Sequence, residues 1–251
     1  MNEKQPLLGI LGGLGPMSTV YFYELLTAHT KASSDADHID MLISSRATTP
    51  DRTAFILGRS KEDPLPVMIE EALRLERAGA DLLVIPCNTA HYFYDGLKKS
   101  CQSPILNIIE ETVRHLHRNS VTKFGILATA GTVGSGSYDR ACKQYGMECI
   151  APDEKEQAII TSLIYDSIKQ NKPIDLQSFL RVADTLVKKG CQKLVLGCTE
   201  LSLLNKGDQL DRALFVDSLE VLAWRTILSC NKEPIGFPKD FEQMPKAGDR
   251  A

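Results

Sequence analysis

Cys87 and Cys198 occupy matched settings in this 251-residue chain. The first closes the apolar run Leu82-Leu83-Val84-Ile85-Pro86 and is followed by Asn88-Thr89-Ala90-His91. The second closes Lys193-Leu194-Val195-Leu196-Gly197 and is followed by Thr199-Glu200-Leu201. A short apolar run ending in small polar residues reads as a parallel strand, and ligands bind at the carboxyl ends of such strands. A thiol placed between a strand end and a helix N-terminus can be activated, because nearby donors and the helix dipole favour the thiolate. Two such thiols facing one carbon from opposite sides can invert it. One thiolate removes a proton and the other thiol returns one to the opposite face. Cys101, Cys142, Cys149, Cys191 and Cys230 lack this setting and read as small buried hydrophobes. A disulfide between Cys87 and Cys198 is the competing reading, disfavoured in a reducing compartment.

Other residues join the list by type and neighbourhood. Gly12-Gly13-Leu14-Gly15-Pro16 follows an apolar run; Gly13 is the candidate for close backbone approach to a ligand. The spacing is not that of a dinucleotide-binding loop, and Pro16 removes one backbone donor. Residues 46–60 read as a long polar loop of the kind that often covers a site. Within it Arg52 is the candidate carboxylate ligand, with Arg46 and Arg59 weaker. Asn88, Thr89, Thr199 and Glu200 surround the two cysteines. Thr129 and Thr132 echo the glycine loop in the second half and could hold a carboxylate. Glu200 could order an ammonium or favour the start of its helix. His91 is expected to cap the helix that follows it, and Trp224 to pack in the core. By itself Lys169 reads as a solvated helix end.

The elements that must position these residues form an α/β pattern. Strands centre near 9, 43, 84 and 106, and again near 126, 149, 195 and 215, an offset of roughly 110 residues. Helices are expected over about 18–31, 66–78, 91–99, 110–117, 138–145, 154–169, 176–189 and 218–230, the last capped by Ser218. The tail from Asn231, with Pro234, Pro238, Pro245 and Gly248, is expected to be irregular. The repeat predicts two similar α/β domains, each with a four-stranded parallel sheet, and a site in the cleft between them. The boundaries are 1–117 plus 218–251 for the Cys87 half and 118–217 for the Cys198 half.

Composition narrows the function. The 29 Lys and Arg against 32 Asp and Glu give a net charge of −3, so no basic field points to nucleic acid or an anionic membrane. No apolar run reaches the length of a membrane span. The start, Met1 to Pro6, lacks the apolar stretch of a signal peptide. Seven cysteines without zinc-ligand spacing fit reduced thiols in a cytoplasm. No metal cluster and no pyridoxal-phosphate lysine motif stands out.

Gly12-Gly13-Leu14-Gly15-Pro16, Pro50-Asp51-Arg52-Thr53, Pro86-Cys87-Asn88-Thr89-Ala90-His91 and Gly197-Cys198-Thr199-Glu200-Leu201 together resemble the aspartate/glutamate racemase family, most closely its aspartate racemase branch. The likeness spans about residues 7–230. It implies a cofactor-independent amino-acid racemase, a homodimer with its active site between two α/β domains. Cys87 and Cys198 would be the acid/base thiols. Asn88, Thr89 and Thr199 would hold the α-carboxylate and amino group, Arg52 the side-chain carboxylate, and Lys169 would be a second cation. Leu14, Ser18 and Ser44-Ser45-Arg46-Ala47 depart from the branch pattern. Glutamate or a broader set of amino acids is therefore the alternative substrate. A single-thiol decarboxylase or isomerase and a non-catalytic dicarboxylate-binding protein are the remaining readings.

Overall fold

The structure, a computed structural model, describes residues 5–206 and 210–243. Two four-stranded parallel sheets organise it. The first contains β1 (Leu8–Gly12), β2 (Met41–Ser45), β3 (Leu82–Val84) and β4 (Ile105–Leu106) in the order β2-β1-β3-β4. The second contains β5 (Lys123–Leu127), β6 (Glu148–Ile150), β7 (Lys193–Leu196) and β8 (Phe215–Asp217) in the order β6-β5-β7-β8. The permutation is the same in both, so Cys87 and Cys198 follow equivalent inner strands, β3 and β7. Ile10 pairs with Val84 in one sheet, and Ile126 with Val195 in the other. Inner parallel strands are covered on both faces, which is why β1, β3 and most of β5 and β7 read as continuous apolar runs. Their residues are almost all buried.

The helices are α1 (Pro16–His29), α2 (Arg52–Ile56), α3 (Leu65–Arg77), α4 (Tyr94–Ser100), α5 (Ile108–Arg118), α6 (Ala130–Gly134), α7 (Ser137–Lys143), α8 (Glu154–Ser162), α9 (Leu176–Lys188), α10 (Ser202–Asn205) and α11 (Ser218–Ser229). One apolar core joins the two sheets. It contains Leu8 and Phe22 from the first half, Phe124 and Val195 from the second, and Leu219, Leu222 and Ile227 of α11. After β8 the chain returns to the first half, where α11 packs on α5 and α1. Trp224 is buried in this core, as expected. No helix among the described residues is long and apolar enough to cross a membrane.

Several local expectations are corrected. The first helix starts at Pro16, not at Ser18 or Thr19, because proline at N1 gives up only a donor that would be orphaned there. The supposed long loop 46–60 contains α2, whose N-cap Asp51 accepts from Ala54 N–H at 2.6 Å. Aspartate is among the residues favoured at that position. Helices α6 and α10 lie where none was expected. Asp217, not Ser218, caps α11, accepting from Leu219 N–H at 2.8 Å. The helix expected over 154–169 ends at Ser162. It continues as a wide π turn over Leu163–Ser167 and a tight turn over Ile168–Gln170, closed by left-handed Asn171 (φ 53°). The tail is tied down by a Thr30–Pro234 bridge and by Phe241, buried in the main core. Pro245 and Gly248 lie outside the described residues.

Candidate active site

The carboxyl ends of β3 and β7 meet. Cys87 and Cys198 line one narrow void, together with Arg52, Asn88, Thr89, Thr129, Lys169, Thr199 and Glu200. Leu14, Asp51, Thr53 and Tyr165 complete its wall. Gly13 and Thr132 are the two sequence candidates that stand back from it. Thr132 touches the void's wall through the hydroxyls of Thr89 and Thr129. The three hydroxyls form a triangle with edges of 2.9, 2.9 and 3.1 Å. Tyr165 had no sequence signal, since it reaches the cleft only through the π turn. Asp51 and Thr53 flank Arg52 in a motif where the arginine alone drew attention.

The supports around Cys87 fix its backbone. Asn88 accepts from Tyr138 Oη at 2.7 Å through Oδ1 and donates to Ser218 Oγ at 2.9 Å. Ser218 in turn donates to the Leu196 carbonyl at 2.7 Å. So one asparagine bridges α7 of one half to the end of β7 and the start of α11. Burial pushes the Tyr138 phenol far above its ordinary range, which keeps it a neutral donor. His91 does not cap the helix after it. Its Nε2 accepts from Ile108 N–H at 3.3 Å, so Nδ1 carries the proton and donates to the Cys87 carbonyl at 2.8 Å. Burial lowers its pKa to about 4, leaving a neutral ring that joins Cys87 to the start of α5.

Arg52 is held open-handed. Its Nη1 donates to the carbonyls of Thr49 (3.1 Å) and Pro50 (2.9 Å), and Nη2 donates to Leu14 at 3.0 Å. The buried Nε has no partner, and Nη2 keeps a second hydrogen. These donors suit an incoming carboxylate. Arg46 instead pairs with Glu70 and Glu71, each at 2.8 Å, at the edge of the first sheet. Arg59 lines a separate groove beside α8.

Around Cys198 the charges differ. Its Sγ donates to Glu200 Oε2 at 3.0 Å. Lys169 Nζ lies 3.5 Å from Glu200 Oε1 and 4.6 Å from the centre of the Tyr165 ring. Lys169 is therefore not the solvated helix end its sequence setting suggests; the π turn swings it into the cleft. Burial, then the negative charge of Glu200, pushes the Cys198 thiol well above its ordinary range, with Lys169 opposing. Burial also raises Cys87, but Arg52 and the Ala90 N–H work against that rise while Glu200 adds to it.

A wider vestibule adjoins the void and shares Asp51, Arg52, Lys169 and Glu200 with it; Gly13, Gly15, Met17, Ile168 and Leu203 also line it. Gly13 (φ +79°) lies against the Arg46 backbone, where an added Cβ would come within 2.5 Å of Arg46 N. Gly15 (φ +142°) lies equally close to Glu200 Oε1. The glycines thus seat the covering loop and the Glu200 carboxylate.

Two like parallel sheets, each delivering a thiol from an equivalent strand into one cleft, define a two-sheet α/β protein of the racemase type. The chain belongs to the Asp/Glu/Hydantoin racemase family, whose model matches residues 11–226. Members of this family that resemble it are isomerases. It is 30% identical over 230 residues to the broad specificity amino-acid racemase RacX of Bacillus subtilis, covering 88% of this chain and 96% of that protein. The Picrophilus torridus aspartate racemase structure superposes with a TM-score of 0.77 at 28% identity, covering 95% of this chain and 98% of that one. The glutamate racemase of Thermus thermophilus shares the fold, with a TM-score of 0.59 at 21% identity over 91% of this chain and 81% of that one.

Proposed function

We propose that the protein is a cofactor-independent racemase that interconverts L- and D-aspartate by two-base chemistry at Cys87 and Cys198. The observation that carries this reading is the shared void: both thiols line it beside a guanidinium with unused donors. The substrate's side-chain carboxylate takes the free donors of Arg52. Asn88, Thr89, Thr129 and Thr199 hold its α-carboxylate and ammonium, and Thr132 steadies the two threonine hydroxyls it touches. One thiolate then removes the α-proton, and the opposite thiol protonates the carbanion on its other face. Electrons stay on carbon, and one proton leaves one sulfur as another reaches its partner. Each half of the chain, 1–117 with 218–251 and 118–217, would contribute one of the two acid/base groups.

A broader amino-acid specificity is the second reading. It is favoured by Lys169, whose charge is already matched by Glu200, and by the likeness to a broad-specificity racemase. The family likeness also brings a homodimer and a reducing, cytoplasmic setting into the proposal. Met17, Val20 and Tyr23 expose an apolar stripe on α1 that a second copy would cover; sedimentation of the V20E variant as monomer would support that pairing. For the reaction itself, L-aspartate is incubated with the enzyme in heavy water. Early D-aspartate should carry one α-deuterium while the remaining L-aspartate still carries protium. Inversion without deuterium, or no inversion of any amino acid, contradicts the proposal.

A further inference from the structure

We infer that Glu200 decides which sulfur carries the proton between turnovers, so that Cys198 rests as the thiol and Cys87 as the base. This deepens the two-thiol reading above and rests on it. The geometry is unequal. The Cys198 S–H points at Glu200 Oε2, 3.0 Å away, so its loss would leave two anions side by side in a buried site. Glu200 is only 6% exposed, and Cys198 only 4%. Among the described residues, no carboxylate is hydrogen-bonded to Cys87. Burial and, without a hydrogen bond, the charge of Glu200 disfavour a thiolate there, while the Arg52 guanidinium, the Ala90 N–H and then Lys169 favour one.

Glu200 is also held in place. Lys169 Nζ stands 3.5 Å from Oε1, and Gly15 leaves room for that oxygen, which an added Cβ would approach to 2.5 Å. Tyr165, the other titratable group facing Cys198, is a neutral phenol whose pKa burial raises. Glu200 therefore acts as a positioning residue through Cys198, not as a ligand of the substrate ammonium.

The inequality has a kinetic signature. Mirror-image substrates have equal energy, so kcat/KM must be equal in the two directions whatever the site looks like. An uneven resting state shows only as kcat and KM rising or falling together for one enantiomer. The enantiomer whose α-hydrogen faces Cys87 meets a ready site. Its turnover leaves Cys87 as thiol and Cys198 as thiolate. The site then resets as Cys87 releases one proton to water and Cys198 takes one up.

The test is the pH dependence of iodoacetamide labelling at each cysteine, read by peptide mass spectrometry in the wild type, E200Q and E200D. In the wild type, Cys87 should label at lower pH than Cys198. E200Q should move the Cys198 midpoint down by about one pH unit or more, and Cys87 by less. It should also bring the two kcat values closer together, while E200D keeps the wild-type order. Cys198 labelling before or together with Cys87 in the wild type overturns the inference without any variant. So does a Cys198 profile that E200Q leaves unmoved in protein with an unchanged melting curve. Labelling needs no turnover, so a failed racemase assay and a failed labelling order are separate results.

Discussion

Thr199 Oγ1 donates to the carbonyl of Pro86 at 3.2 Å, joining the residue after one cysteine to the residue before the other. The bond runs between the ends of β7 and β3, so the spacing of the two thiols depends on it directly. T199V keeps the shape and removes the donor, leaving a buried carbonyl unpaired. Stability should fall by about 1–2 kcal/mol, read as a drop in Tm of a few degrees. Racemase kcat should fall at least about tenfold, since small displacements of catalytic groups are costly. Full activity in T199V would mean that the thiols are spaced by something else.

Arg52 separates acidic from neutral substrates in this account. R52K keeps the charge but cannot reproduce a fork that serves three carbonyls and still offers free donors. Loss of a charge-assisted contact is worth about 1.5–3 kcal/mol, so kcat/KM for aspartate should fall between about tenfold and a hundredfold. A neutral amino acid turned over by the same enzyme should lose much less. Equal losses for both would assign Arg52 to loop structure alone.

Tyr138 reaches the site through Asn88. Y138F removes the 2.7 Å bond to Asn88 Oδ1 and frees the amide to turn. We expect a loss of about 1 kcal/mol in stability and a fall in kcat with little change in KM, because no substrate contact is lost. A rise in KM alone would contradict the positioning role.

His91 makes stability depend on pH in a defined direction. Its pKa is about 4 in the fold against an ordinary 6.5, so the unfolded chain binds the extra proton between those values. Stability is then present above pH 6.5 and lost as pH falls toward 4, by about 3 kcal/mol in all. Buried Glu220 acts oppositely. Burial and the neighbouring Asp217 raise its pKa, so its contribution is present below the ordinary carboxylate range and lost as pH rises through the folded value. The wild-type profile over mildly acidic pH should therefore be shallow. E220Q should steepen the acid-side loss in urea titrations, and H91F should remove it while lowering stability at pH 7. An E220Q profile as shallow as the wild type would refute this balance.

How much of this was readable from the chain follows from what each feature depends on. The inner strands β1, β3, β5 and β7 carry near-continuous apolar runs, and the repeat of those runs already carried the two-sheet plan. Cys87 and Cys198 stood out because their strands end in like fashion. Helix α2 did not, since five residues held by one Asp51 cap leave no periodic pattern. Lys169 is the opposite lesson. Its place in the cleft comes from a π turn and a pairing with Glu200, neither of which hydrophobic spacing encodes. The cross-chain bonds of Asn88, Tyr138 and Ser218 are likewise tertiary, invisible until the halves are packed.

The central claim is that inversion needs both sulfurs. Racemisation of aspartate by C87A and by C198A, measured separately by polarimetry on folded protein, tests it most directly. Each variant should lose at least about a hundredfold in kcat, the scale of one acid/base group. Racemisation near the wild-type rate in either variant would contradict the two-thiol account.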